Sequence, residues 1–257
     1  MNLTEQWVAF MTILRKEIKR YLRIWTQTLL PSAITMSLYF VIFGTLIGSR
    51  IGDMGGFTYM EFVVPGLIMM AIVTNSYSNV VSSFFGSKFS HSVEELLVSP
   101  VANVVILMGY VVGGISRGLL VAVVVTLVSL FFTLLSIHSY FVVVVVVLMT
   151  STLFALAGFI NAVYANSFDD ISIIPTFVLT PLIYLGGVFY SMDLLPEFWA
   201  NVSKLNPLVY VVNAFRYGVL GVSDVSLPFS FGMITLFTVL AFMYCMHLLN
   251  SGKRLRQ

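Results

Sequence analysis

Apolar runs of membrane length recur along this chain, separated by short polar stretches. Before the first run, Trp7, Val8, Phe10, Met11, Leu14, Ile18, Tyr21 and Leu22 fall at helical spacing, while Arg15, Lys16, Lys19, Arg20 and Arg23 crowd the second half of the same segment. That pattern predicts a basic amphipathic helix over 3–23 lying at a membrane surface; a flexible basic tail is the alternative. Apolar spans are predicted at 27–48, 62–85, 104–134, 140–163, from 171 to Gly187, and at 229–249. The third is overlong against the roughly 20 residues that cross a bilayer. The fourth contains an unbroken run from Val142 to Val147, but its length selects a helix over a strand. Pro31 sits in the first turns of its span, where proline is tolerated. Pro175, Pro181 and Gly186-Gly187 interrupt the fifth, either as a static kink or as a place where the helix flexes. The stretch 190–228 is too polar to span cleanly yet rich in aromatic residues, which predicts short helices at an interface or a re-entrant segment.

Composition sharpens this picture. Of 257 residues, 59% are hydrophobic and only 9% charged, against about 25% charged in soluble domains. Mean hydropathy is +0.99. Lipid must be the solvent for most of the chain, and runs of this length, rather than alternating segments of about ten residues, select helices over a barrel. A net charge of +2 gives no support to nucleic-acid binding. The one cysteine, Cys245, forms neither an internal disulfide nor a thiolate metal site, and His91, His138 and His247 are scattered without ligand spacing. The charged N-terminal segment has no cleavage signature, so the first span is expected to act as an uncleaved anchor.

Lysine and arginine distribution sets the expected orientation. With a cytoplasmic N-terminus, the inner segments hold Arg15, Lys16, Lys19, Arg20, Arg23, Lys88, Lys253, Arg254 and Arg256; the outer ones hold Arg50, Lys204 and Arg216. Nine against three places both termini inside, as an even number of spans requires.

The polar connection 86–103 is the most informative segment. Ser90 and Ser92 are candidate helix caps, Glu94 and Glu95 fall in a first turn where the helix dipole favours acids, Leu96, Leu97 and Val98 supply an apolar ridge, and Pro100 ends the element. Such a helix either fits a groove on a partner or simply connects two spans. Asn75 and Asn79 share a face of the second span, and Arg117 lies inside the third. Each of these polar groups either lines a pathway or bonds a neighbouring helix, with Arg117 also able to snorkel to the inner interface. Gly109, Gly113, Gly114 and Gly118 read as a packing surface, and Asp169 and Asp170 as caps of the turn that starts the fifth span. The phosphate-binding pattern G-x-x-x-x-G-K-[ST] does not occur; Gly86-Ser-Lys88 lacks both its first glycine and its final hydroxyl. Any ATP-driven work must therefore draw on a motor in another chain.

Taken in order, the basic amphipathic helix, Phe62-Val-Val-Pro-Gly-Leu67 opening the second span, GSKFSHSVEELLVSP from Gly86 to Pro100, Pro181-Leu-Ile-Tyr-Leu-Gly-Gly-Val-Phe-Tyr190, Leu195-Pro196, and Asn206-Pro207-Leu208 with Arg216 resemble the ABC transporter type-2 permeases, membrane components of bacterial ABC exporters. The resemblance covers essentially the whole chain. It implies an all-α polytopic fold of six transmembrane helices in one permease domain, 1–257, with an interfacial helix at 1–25, a cytoplasmic coupling segment at 86–103 and outer-face helices at 190–228. It further implies a homodimer in the bacterial inner membrane, surrounded by lipid, moving an unidentified exported substrate. A separate ABC ATPase carrying ATP and magnesium would supply the energy, with no cofactor in this chain. Docking to that ATPase would fall to Lys88, His91, Glu94, Glu95, Leu96 and Leu97, together with Arg15 and Lys19 of the amphipathic helix. Asn75, Asn79 and Arg117 are the candidate pathway residues. The competing readings are an ion-driven transporter, for which Glu61 is the nearest acid, and a membrane-embedded enzyme, for which no catalytic constellation presents itself.

Overall fold

A computed structural model describes residues 2–252; the C-terminal cations Lys253, Arg254 and Arg256, used above for orientation, lie outside the described residues. Helix α1, Leu3–Arg23, has the bounds its pattern predicts, with Asn2 and Glu5 forming a reciprocal cap at its start. The first span is less regular. It comprises α2 (Trp25–Thr28), α3 (Leu30–Tyr39), a π-helical stretch (Phe40–Ile47) and α4 (Gly48–Ile51), followed by a two-residue hairpin, β1 (Asp53–Met54) against β2 (Phe57–Thr58).

Helix α5, Tyr59–Phe89, is the centre of the bundle. Thr58 and Glu61 cap it reciprocally: the Thr58 amide donates to Glu61 Oε2 at 2.9 Å. It packs against α7 (Asn103–Ser129) and α8 (Tyr140–Tyr164), and the small helix α6 (Ser92–Val98) links α5 to α7. Small residues permit these approaches. A Cβ on Gly158 of α8 would lie 2.5 Å from the Tyr77 carbonyl, one on Gly114 of α7 would lie 2.7 Å from Val80, and one on Gly118 would collide with Ser76. The glycine face predicted for packing does that work. Cys245, on α13 (Leu227–Ser251), is buried against α8.

Among the described residues, five helical segments are long and apolar enough to cross a membrane: Trp25–Gly44, Tyr59–Phe89, Asn103–Ser129, Tyr140–Tyr164 and Leu227–Ser251. The sixth expected span is not one of them. It is a 15-residue apolar helix, Asp170–Tyr184, made of α9 (Asp170–Ile174), a π-helical turn at Pro175–Leu179 and α10 (Thr180–Tyr184). Pro175 and Pro181 remove two amide donors, the helix ends at Tyr184, and Gly187, with φ of +74°, turns the chain away just beyond it. Of the two acids expected to cap its start, Asp170 accepts from the amides of Asn166 and Ser167, while Asp169 makes no capping hydrogen bond. The overlong third span is trimmed too, its helix stopping at Ser129.

The mixed stretch after it folds as short helices: a 3-10 turn at Met192–Leu194, α11 (Glu197–Ser203) and α12 (Pro207–Leu220). Helix α12 is almost wholly buried among α5, α8 and α13. Its Arg216, fully buried, lies 3.9 Å above the Phe62 ring and donates to the Gly187 carbonyl at 2.6 Å. One guanidinium therefore ties α12 to the start of α5 and to the end of the interrupted helix.

Candidate functional site at the basic end of the bundle

The cations of α1 gather at the end of the bundle where α5 ends and α7 begins. Only Ile13, Glu17 and Tyr21 of α1 are buried, one residue per turn. They rest on a track in α7 with the same spacing: a Cβ on Gly109 would stand 2.6 Å from Ile13, and one on Gly113 2.7 Å from Glu17. The predicted apolar face points partly elsewhere, with Trp7, Val8 and Leu22 about half exposed and free to meet lipid.

Glu17 is a functional residue that pattern reading overlooked. Its carboxylate is fully buried, 3.3 Å from Arg20 Nη2, and accepts from Ser83 Oγ and from Asn79 Nδ2. Arg20 in turn donates to the Asn79 carbonyl and to Asn79 Oδ1, both at 2.9 Å, and to Ser82 Oγ at 3.2 Å. Tyr21 donates to Ser116 of α7. A buried acid is stable only when paired and hydrogen-bonded, and here both conditions are met. The network fixes the amphipathic helix to the central span. The one sequence signal for it is Glu17 standing four residues from both Ile13 and Tyr21, on the face that otherwise carries apolar residues.

Helix α6 projects beside it. His91, in the left-handed region at φ of +58°, precedes the helix, and its ring lies 3.3 Å from Glu94. Ser90 and Ser92 do not cap the helix start. Their hydroxyls donate to the Ser87 carbonyl and close the end of α5, because the left-handed turn at His91 carries them back toward it. Val93 is buried and Leu96 and Leu97 pack on the core, while Glu95 is exposed, Glu94 partly so, and Val98 stands 83% exposed. Arg15 and Lys19 are exposed on α1. Lys88 is placed differently from the expectation. It is 3% exposed, and its ammonium donates at 2.8 Å to the carbonyls of both Val163 and Ala165, satisfying the end of α8. Lys88 thus braces the base of the element instead of standing on its surface. Gln6 of α1 clips the far end: its amide nitrogen donates to the Pro100 carbonyl and its oxygen accepts from the Ala102 amide.

Of the three candidate pathway residues, Asn75 and Asn79 are buried between helices and Arg117 is partly exposed. Arg117 donates to Asn75 Oδ1 at 2.9 Å, and Asn75 donates to Ser32 of α3 at 3.0 Å. Asn79 belongs to the Glu17 network. All three take bonding partners within the chain. The exposed face of α5 lies one residue step away. Met70, Thr74, Ser78, Ser82 and Gly86 are the residues along its middle and lower length that escape burial, four apart throughout. Four residues turn a helix by slightly more than one revolution, so they make one slowly winding stripe, mostly of hydroxyls. Glu61, the acid nearest to an ion-coupling position, is occupied as the cap of α5.

The ABC-2 type transporter family model matches residues 8–220, which spans α1 through the end of α12. The chain is 57% identical over 250 residues to the inner membrane transport permease YadH of Escherichia coli strain K12, covering 97% of this chain and 98% of that protein. It is also 23% identical over 252 residues to nodulation protein J of Neorhizobium galegae, covering 98% and 94% of the two chains. With five membrane-length helices among the described residues, a basic amphipathic helix seated on the bundle and a family match over most of its length, this chain belongs to the ABC-2 type transporter family and is a multi-pass membrane subunit of a transport system.

Proposed function

We propose that two copies of this chain form the substrate route of an ATP-driven exporter of the bacterial inner membrane, powered by a separate ABC ATPase that docks on α6. The observation that carries this reading is the shape of α6: a short helix braced from behind by Val93, Leu96, Leu97 and Lys88, and presenting Glu95, Val98 and part of Glu94 outward. Arg15, Lys19 and His91 border the same exposed surface. The basic end faces the cytoplasm, because lysine and arginine concentrate there. The Gln6 clip and the Glu17 network then give motion of α6 a path into α1, α5 and α7. The interrupted helix Asp170–Tyr184 serves as the sixth membrane segment, its short length made up by α12 behind it.

The route follows the partly exposed stripe Thr74, Ser78 and Ser82 of α5 instead of the buried Asn75 and Asn79. In a helix otherwise surrounded by protein, an exposed hydroxyl face suits a path or a second copy better than lipid. An ion-driven mechanism loses its best acid, since Glu61 is a helix cap and Glu17 is paired with Arg20.

The test is co-expression with ABC ATPase subunits and purification in mild detergent. An ATPase should co-purify with the wild-type chain and be lost from Glu94→Arg/Glu95→Arg, which remains folded. A folded permease that retains no ATPase in either form would contradict the split-transporter reading.

A further inference from the structure

The interrupted helix Asp170–Tyr184 stands partly away from the bundle. Ile173, Phe177 and Val178 are exposed, while Leu179 and Ile183 turn inward. Behind it lies a cavity of about 350 Å³, walled by α5, α8, α12 and α13 as well as by the interrupted helix itself. Phe154 and Leu179 are its buried wall, and Val178 and Leu240, each about half exposed, form its rim. Leu240 sits midway along the membrane-length helix α13, so the opening faces the lipid interior and not water. None of Thr74, Ser78 and Ser82 lines the cavity, which separates it from the stripe on α5.

One polar side chain enters this apolar chamber. Tyr77 lines it and is only 2% exposed. The Tyr77 hydroxyl accepts from Asn161 Nδ2 at 2.7 Å, and the same nitrogen donates to the Ile171 carbonyl at 3.2 Å. Both amide hydrogens of Asn161 are thus spent. The phenol accepts there, and its own proton meets no acceptor among the described residues. A buried donor left unpaired is costly. Water is a poor remedy, because a trapped water needs about two to four polar partners and Tyr77 is the only polar side chain in the lining. A cavity with apolar walls and one spare donor suits a molecule that is hydrocarbon over most of its surface and carries an acceptor oxygen. We infer that this cavity binds a small, neutral, apolar molecule that enters from the lipid and bears a carbonyl oxygen, which accepts from Tyr77. The site lies within one copy of the chain, and it depends on the fold and not on the export reading above.

The probe is benzophenone, two apolar rings about one carbonyl, which attaches to nearby C–H groups on irradiation. The full-length permease in phosphatidylcholine nanodiscs is irradiated with increasing probe, and the adducts are mapped by mass spectrometry. Labelling should saturate and concentrate on α8, the interrupted helix and α13. Tyr77→Phe keeps the ring and removes the donor, and it should weaken the half-saturation point about fivefold, as the loss of one neutral hydrogen bond does. Fluorenone, which keeps a carbonyl, should compete about fivefold better than fluorene, its hydrocarbon counterpart. Ala157→Phe fills the cavity from α8 and should abolish the saturable labelling; Ala241→Phe fills it from α13 and replaces that variant if thermal unfolding shows it misfolded. Labelling spread evenly over the lipid-facing helices, or unchanged in the folded cavity-filling variant, would overturn the site. Saturable labelling that ignores Tyr77→Phe, with fluorene competing as well as fluorenone, would overturn the carbonyl requirement and make the cavity a seat for a plain hydrocarbon such as a lipid acyl chain.

Discussion

Two helices lie at the basic end of the bundle, and they are held in opposite ways. Helix α1 is embedded through Ile13, Glu17 and Tyr21, with glycines cut to fit it in α7 and a charged network joining it to α5. Helix α6 buries only Val93 fully and shows its acids and Val98 to the outside. A surface that meets a partner has to be exposed, whereas one that passes motion onward has to be fixed. On the proposed reading the pair supplies both, and Gln6 ties α1 to the connection that follows α6.

The sharpest way to break the contrast is to release α1. Glu17→Ala leaves Arg20 without its acid beside Asn79 and Ser83. The expected loss is about 3 kcal/mol, toward the lower end for a broken buried pair because the Arg20 side chain is 26% exposed. Thermal unfolding in detergent reads this, and an unchanged midpoint would mean that the network does not hold the helix. Next in size is Gly113→Val, which drives a side chain into Glu17 and should cost about 2 kcal/mol by overpacking. The same change at Gly232, where a Cβ meets nothing within 4 Å, is the control and should cost far less. Smaller still is Gln6→Ala. Removing two exposed hydrogen bonds should cost about 1 kcal/mol and hasten proteolysis of the connection between α6 and α7, with the other connections unaffected.

The sequence made one half of this contrast legible and hid the other. The ends of α1 and α8 agree with their patterns to within a residue, because charge and hydropathy change abruptly there. The acids of α6 were readable from the segment between Gly86 and Pro100. Glu17 was not, because an acid among five cations looks like an ordinary surface residue until the glycine track opposite it is placed. Lys88 was misread for a related reason: its partners, the carbonyls of Val163 and Ala165, are 75 and 77 residues away. The two faces of α5 were indistinguishable in the sequence on angle alone. Asn75 and Thr74 are adjacent and both polar, and about 100° around the helix separates a buried bond from an exposed hydroxyl. The interrupted helix shows how composition misleads on length. Its run is apolar enough to span, but the helix ends at Tyr184 after 15 residues, just before the left-handed Gly187.

Site-directed photo-cross-linking in the presence of a co-expressed ABC ATPase tests the division of labour most directly. A photoreactive residue at Glu95 or Val98 of α6 should yield a permease–ATPase adduct, and one at Tyr21, on the buried face of α1, should yield an adduct within the permease only. Adducts to the ATPase from Tyr21, with none from Glu95 or Val98, would contradict α6 as the docking element and α1 as the fixed one.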